Sequence, residues 1–235
     1  MPATGNKGQL TNWCGAKSGT TGIVYVNGPC TGTAGQWLGV TCAVVGGASR
    51  VTRLDTCQHN GSGCTLTGLG GSLPTSIGEL DALTDLNLVS SGISGSIPSS
   101  VGALTRLTHL RLNNNALSGS MPPSLGALTG LIGLELKNNA LSGSIPSSLG
   151  GLTTLVGLDL QYNRLTGPLP ASFCSLRSAI VLIVGGNPGL TCYPSCLSSL
   201  SSMMFMMTKD ASLSVCAAGA LECPYQKTHC YHSSQ

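Results

Sequence analysis

The sequence predicts a repeat solenoid built on a parallel β-sheet. Three observations predict it. A 24-residue period runs through the middle of the chain without slippage; each copy carries a proline three residues after a glycine; and a short stretch of each copy alternates apolar and variable residues. The prolines are Pro74, Pro98, Pro122, Pro146 and Pro170, behind Gly71, Gly95, Gly119, Gly143 and Gly167.

One copy shows why the period dictates stacking. Between residues 93 and 115 the apolar positions are Ile93, Ile97, Val101, Leu104, Leu107, Leu110 and Leu112, and the next two copies repeat them. These residues fill a slab too thin to bury them alone, so neighbouring copies must close the core. The segments Leu86-Asn87-Leu88, Leu110-Arg111-Leu112, Leu134-Glu135-Leu136, Leu158-Asp159-Leu160 and Leu182-Ile183-Val184 have the two-residue period of a strand. Stacked, they form one parallel sheet. Three residues beyond the second strand leucine stands Asn115, Asn139, Asn163 or Asn187, whose amide is expected to satisfy backbone groups from coil to coil. The first copy has Ser91 there, which predicts a poorer turn or one closed by water.

The stretch from Leu107 to Pro122, Leu-Thr-His-Leu-Arg-Leu-Asn-Asn-Asn-Ala-Leu-Ser-Gly-Ser-Met-Pro, resembles the plant-type leucine-rich repeat, LxxLxLxxNxLSGxIPxxLGxL, and the match covers residues 69–190. The resemblance implies a right-handed α/β solenoid with a concave parallel sheet, about five 24-residue repeats, and an extra flanking strand at Leu-Ser-Gly-x-Ile-Pro. It also implies an N-terminal cap, since Cys30, then Trp37-Leu38-Gly39-Val40-Thr41-Cys42, then Arg50-Val51-Thr52-Arg53-Leu54-Asp55 resembles the family's cap signature and first strand. By that resemblance Cys30 pairs with Cys42. Trp37 is expected to cover the first coil, a large aromatic being an effective lid for exposed leucines. Thr56 replaces the expected third hydrophobe of that strand. Cys57 and Cys64 bracket an insertion and are read as a local bridge around the sequon Asn60-Gly61-Ser62, a candidate glycosylation site at Asn60.

The expected organisation is a cysteine-rich cap at 1–65, repeats at 66–187 and a second cysteine-rich cap at 188–235. Eleven cysteines flank the regular repeats. Short caps with little core of their own call for cross-links in an oxidising compartment, so an extracellular or cell-surface location is expected. Met1 to Lys7 is followed by no apolar run before Trp13, so no leader is read in this segment. In the second cap, Leu197 to Met207 is expected to form a short amphipathic helix over the last coil. The odd cysteine count leaves at least one thiol free or bonded to another chain, with Cys14 the first candidate.

Composition excludes several functions. Only 8% of residues are charged and the net charge is +3 without a run of Lys or Arg, which is no nucleic-acid footprint. The apolar runs 179–184 and 203–207 are far shorter than the roughly 20 residues of a membrane span. No nucleophile elbow, phosphate loop or metalloprotease motif occurs, so no catalytic residue and no cofactor is expected. Cys223, His229, Cys230 and His232 are close in sequence but lack a C-x-x-C pair, and disulfides account for them better than zinc.

Function is therefore expected on the variable strand positions, which line the sheet face in rows: Asp85, Asn87 and Val89; His109, Arg111 and Asn113; Gly133, Glu135 and Lys137; Gly157, Asp159 and Gln161, with Tyr162 at the edge; Val181, Ile183 and Gly185. Of these, Asp85, Asn87, His109, Arg111, Asn113, Glu135, Lys137, Asp159, Gln161 and Tyr162 are the candidate ligand-binding residues. Gly133 and Gly157 are expected to leave a shallow trough. The carboxylates of Glu135 and Asp159 adjoin, but an open sheet is not expected to raise the pKa of either as a glycosidase requires. Val181 and Ile183 are expected to be covered by the second cap. The family implies a receptor-like ectodomain, an inhibitor of cell-wall polysaccharide hydrolases, or a surface adhesive protein; the expected ligand is a protein, peptide or glycan.

Overall fold

The computed structural model describes residues 40–56, 70–179, 181–199, 204–206 and 213–216. Cys14, Cys30, Trp37, Cys57, Asn60, Cys64 and the 223–232 cluster lie outside them.

The chain enters through a hairpin. Strands β1 (Val40–Val45) and β2 (Ala48–Asp55) run antiparallel, joined through Gly46 and Gly47, both with positive φ (60° and 78°), as a tight hairpin turn of matching twist requires. From β2 onward the sheet is parallel: β3 (Asp85–Asn87), β5 (His109–Arg111), β7 (Gly133–Glu135), β9 (Gly157–Asp159) and β11 (Val181–Ile183) pair in register. Thr84 bonds back to Thr52 across 32 residues, whereas Thr108 bonds back to Thr84 across 24, so the longer sequence between β2 and β3 leaves the register of the sheet unchanged.

A second parallel sheet flanks the first, formed by β4 (Ser94–Gly95), β6 (Ala116–Ser120), β8 (Ala140–Ser144), β10 (Arg164–Gly167) and β12 (Gly189–Leu190). Here Ser118 pairs with Ala140 and Arg164 with Ser142, so flanking strands are offset from the 24-residue period of the main sheet. Each coil closes through a five-residue 3-10 turn, such as Ser99–Ala103 or Pro123–Ala127, entered by an extended proline whose fixed φ suits that position. Among the described residues these turns supply the helical side of the solenoid.

The seven inward positions of the second copy are all buried, between 0 and 3% exposed, and the core continues from Val40 to Leu213. A glycine in each of the first four turns sets how closely coils stack. A Cβ on Gly126 would lie 2.5 Å from the Ser148 carbonyl oxygen and 2.6 Å from Ser148 Cβ, and Gly78, Gly102 and Gly150 meet Ser100, Ser124 and Ser172 in the same way. The serines hold the contact: Ser148 Oγ donates to Pro123 O at 2.7 Å and Ser172 Oγ to Ser147 O at 2.6 Å.

The asparagine ladder forms as expected. Asn163 Oδ1 accepts from Leu141 N at 3.0 Å, while its Nδ2 donates to Leu136 O and Leu160 O at 3.0 and 3.1 Å. The first copy differs from expectation, because Ser91 is fully buried and well partnered. Its backbone N–H donates to Asn115 Oδ1 at 3.1 Å, and its hydroxyl lies 2.9 Å from Thr56 Oγ1, so two small hydroxyl residues share the place of one amide.

The segment after Asn187 also departs from expectation. Instead of a helix over 197–207, Ser195–Ser199 is another 3-10 turn and β14 (Met204–Met206) adds to the main sheet beside β11, Leu182 opposite Phe205. Strands β13 (Cys192–Tyr193) and β15 (Ser214–Val215) pair in parallel, and disulfides Cys174–Cys196 and Cys192–Cys216 span 22 and 24 residues. The repeat geometry thus runs on after the leucine pattern fades, with cystines tying one coil to the next.

Candidate functional site: the outer face of the main sheet

Residues flanking the buried strand leucines project outward from β3, β5, β7, β9 and β11, and register stacks them in files. The file Asn87, Arg111, Glu135, Asp159, Ile183 is continuous from strand to strand. Five rigid strands hold these side chains, so their relative positions are fixed by backbone hydrogen bonds rather than by loops.

The first half of the face is a closed network. Asp85 sits between three cations: Arg111 Nη1 at 3.3 Å, His109 Nδ1 at 3.8 Å when protonated, and Arg53 Nε at 3.9 Å. Arg111 also reaches Glu135 through Nε at 3.3 Å, and Asn113 Nδ2 donates to Glu135 Oε2 at 2.7 Å. With the ion-paired side chains 18–49% exposed, each pair contributes little alone, about 1 kcal/mol or less, but the shared geometry orders all six groups. Asn87 does not join them. It is 8% exposed and its Oδ1 accepts from Val89 N at 3.3 Å, which makes it part of the strand's exit.

The second half is open. Lys137 Nζ lies 5.7 Å from the centre of the Tyr162 ring, a cation–π contact, and is not within ion-pair distance of Asp159. Asp159 Oδ1 accepts from Gln161 N at 3.1 Å, its one hydrogen bond among the described residues. Burial pushes the Asp159 carboxyl above its ordinary range; the Gln161 hydrogen bond and Lys137 oppose the shift and Glu135 adds to it. This corrects the expectation that an open sheet would leave both carboxylates ordinary. Gln161 is 9% exposed as a residue and its side-chain amide makes no hydrogen bond among the described residues, but that amide stays within reach of solvent; among the described residues the enclosed side-chain polar atom without a partner is Ser100 Oγ.

The expected trough is half filled. A Cβ on Gly133 would come within 3.2 Å of His109 Cδ2, so the imidazole lies across that position, whereas one on Gly157 would meet nothing within 4 Å. Val181 and Ile183, opposite Gly157 and Asp159, are half-buried beside β14. Tyr162, at the edge, has φ 52° and is 47% exposed. The same register position is left-handed in Ser90, Asn114, Asn138 and Gly186, and the Tyr162 ring lies directly on Gly186 where a Cβ would stand.

Cys42 is disulfide-bonded, and Cys30, the partner the resemblance implies, falls outside the described residues. The two C-terminal cystines were not foreseen. Their spacing, one flanking-strand offset and one repeat, was the available signal. The burial of Asp159 and Gln161 had no signal in the sequence.

Residues 105–165 match the family model for the leucine rich repeat. A chain of the BIR3–SERK2 complex from Arabidopsis thaliana is 30% identical, with 77% of this chain and 80% of that chain covered and a TM-score of 0.55. This protein belongs to the plant-type leucine-rich repeat family. The ectodomain of the receptor kinase GASSHO1/SCHENGEN3 from Arabidopsis thaliana, solved with CASPARIAN STRIP INTEGRITY FACTOR 2, is 33% identical over 80% of this chain, with a TM-score of 0.67. The Arabidopsis receptor kinase HAESA, in complex with the peptide hormone IDA and the co-receptor SERK1, is 39% identical over 59% of it, with a TM-score of 0.55. This leucine-rich repeat chain spans about a fifth of the length of each of those two structures, 20% and 23%. No curated protein sequence matches it. Among the described residues no helix is long and apolar enough to cross a membrane.

Proposed function

We propose that this leucine-rich repeat chain is an extracellular recognition module that binds a peptide segment of a ligand or partner protein along the outer face of its main sheet. One observation carries the reading: the face divides into a closed ion-pair network over β3–β7 and an open half over β9–β11, where Asp159 makes no ion pair and the Gln161 side-chain amide no hydrogen bond among the described residues. Acceptors that the protein's own side chains leave untaken can bond a bound segment. HAESA, similar to this chain, was solved with a peptide hormone. The closed half is suited to setting register and the open half to taking contacts.

The test is a random-peptide display library panned against the immobilised, disulfide-intact chain. Enriched peptides should bind the parent and lose most of their affinity for a folded variant carrying Arg111→Ala, Glu135→Ala and Asp159→Ala. Enrichment of no peptide, or equal binding to the variant, sinks the proposal.

A further inference from the structure

Deepening that reading and resting on it, we propose that Asp159, Gln161 and the open position above Gly157 form a subsite for a basic side chain, lysine or arginine, of the bound peptide.

The argument starts with what surrounds the carboxylate. Asp159 keeps an oxygen with no hydrogen bond and has no ion pair among the described residues. Glu135, one strand away, is already engaged by Arg111 and Asn113, so it adds negative potential without competing for a ligand cation. Lys137 favours the Asp159 anion but makes no ion pair with it, its ammonium lying over the Tyr162 ring. The site thus has a half-buried anion that Lys137 compensates only from beyond ion-pair distance, and attraction to a cation there is stronger than at a fully exposed position.

Gln161 is the independent observation. Two residues on along the strand direction, the residue is nine-tenths buried while its amide stays within reach of solvent and makes no hydrogen bond among the described residues, so its oxygen can accept a second N–H from a guanidinium or ammonium bonded to Asp159. Space comes from Gly157, where a side chain would meet nothing within 4 Å, in contrast to Gly133, which the His109 ring covers. Val181 and Ile183 lie opposite Gly157 and Asp159 on the next strand and offer an apolar wall for the methylene stem that both basic residues carry. Acceptors at the head and an apolar wall along the stem suit lysine or arginine better than an acidic or a purely apolar side chain.

The test uses peptides enriched against the parent chain. Each should contain a lysine or arginine whose replacement by glutamine lowers affinity about tenfold or more, as for a partly buried charge pair. The same replacement should cost little against an Asp159→Asn variant, which isolates the contact as a coupled pair. Gly157→Val, a change the open space accommodates, should weaken the basic peptide while leaving the melting temperature unchanged. The inference is overturned if enriched peptides need no basic residue, if the loss on replacement is the same in the Asp159→Asn variant, or if Gly157→Val binds as the parent does. In those cases peptide recognition through the rest of the face survives; if no peptide is enriched at all, both fail.

Discussion

The asparagine ladder makes a prediction that can be worked bond by bond. Replacing Asn163 with alanine removes an acceptor from the Leu141 N–H and a donor from Leu136 O, Leu160 O and Gln161 O. The carbonyls do not go bare. Leu136 O keeps Asn139 Nδ2, Leu160 O keeps Asn187 Nδ2 at 2.9 Å, and Gln161 O keeps the Asn138 N–H. One buried N–H is orphaned, so the single change should cost about 2–4 kcal/mol, counting that donor and the lost bonds. Asn187→Ala orphans the Leu165 N–H in the same manner. The double variant does something neither single does: Leu160 O, on a fully buried residue, loses both its amide donors. Its cost should therefore exceed the sum of the singles by about 1–2 kcal/mol. Asn115 and Asn163 share no acceptor, so that pair should add to within about 0.5 kcal/mol. Urea unfolding followed by far-ultraviolet circular dichroism, with unchanged m values, measures all of these. Additivity of the Asn163/Asn187 pair would refute the shared-acceptor account.

Other outcomes follow from packing, charge and cross-links. Gly126→Ala forces a Cβ against Ser148 and should cost about 1–3 kcal/mol in the same unfolding assay, whereas Gly157→Ala should be neutral. Because burial raises the Asp159 pKa, the folded state holds that proton more tightly than the unfolded chain, and ionisation opposes folding. Asp159→Asn should thus stabilise the protein at neutral pH, with the gain disappearing below the ordinary carboxylate value of 3.8, where both states are protonated; a gain that persists at pH 3 would contradict this. Replacing Cys192 and Cys216 by serine opens a link spanning 24 residues and should cost about 2–4 kcal/mol, with amide protection lost first in β13 and β15 and retained in β5 and β7. Tyr162→Asn should raise stability by about 1 kcal/mol, since asparagine tolerates the left-handed backbone that tyrosine does not; a loss would mean that the ring's seat on Gly186 outweighs the strain.

The core and the main sheet were legible because the period is exact: Leu110, Leu112 and their equivalents fall at fixed offsets, and every one is buried. The C-terminal coil was not legible. Its inward positions carry Leu197 and Leu213 in place of a full leucine set, and methionine and serine reproduce neither strand nor helix period, so strand pairing at Met204–Met206 is imposed by the neighbouring edge of β11. On the outer face the sequence placed each candidate residue in its file but not its partners. Whether Arg111 turns toward Asp85 and Glu135, or His109 covers Gly133, depends on rotamers chosen between coils, which periodicity does not encode.

Departures from the repeat separate structural from functional positions more sharply than conformity does. Ser91 breaks the asparagine rule, and Thr56 restores the hydrogen bonding within one coil, so the break is absorbed by the fold. The cystines at the C-terminal end replace leucine burial with covalent links, another local compensation. Around β9 the departures accumulate: an outward glycine with empty space above it, a half-buried carboxylate with no ion pair among the described residues, a side-chain amide with no hydrogen bond among them, and a tyrosine in a left-handed register position that other coils fill with serine, asparagine or glycine. All four lie within residues 157–162 on one strand and its exit. Such a concentration at one strand is what the proposed recognition site calls for, since a ligand there would make contacts that the chain's own side chains leave open.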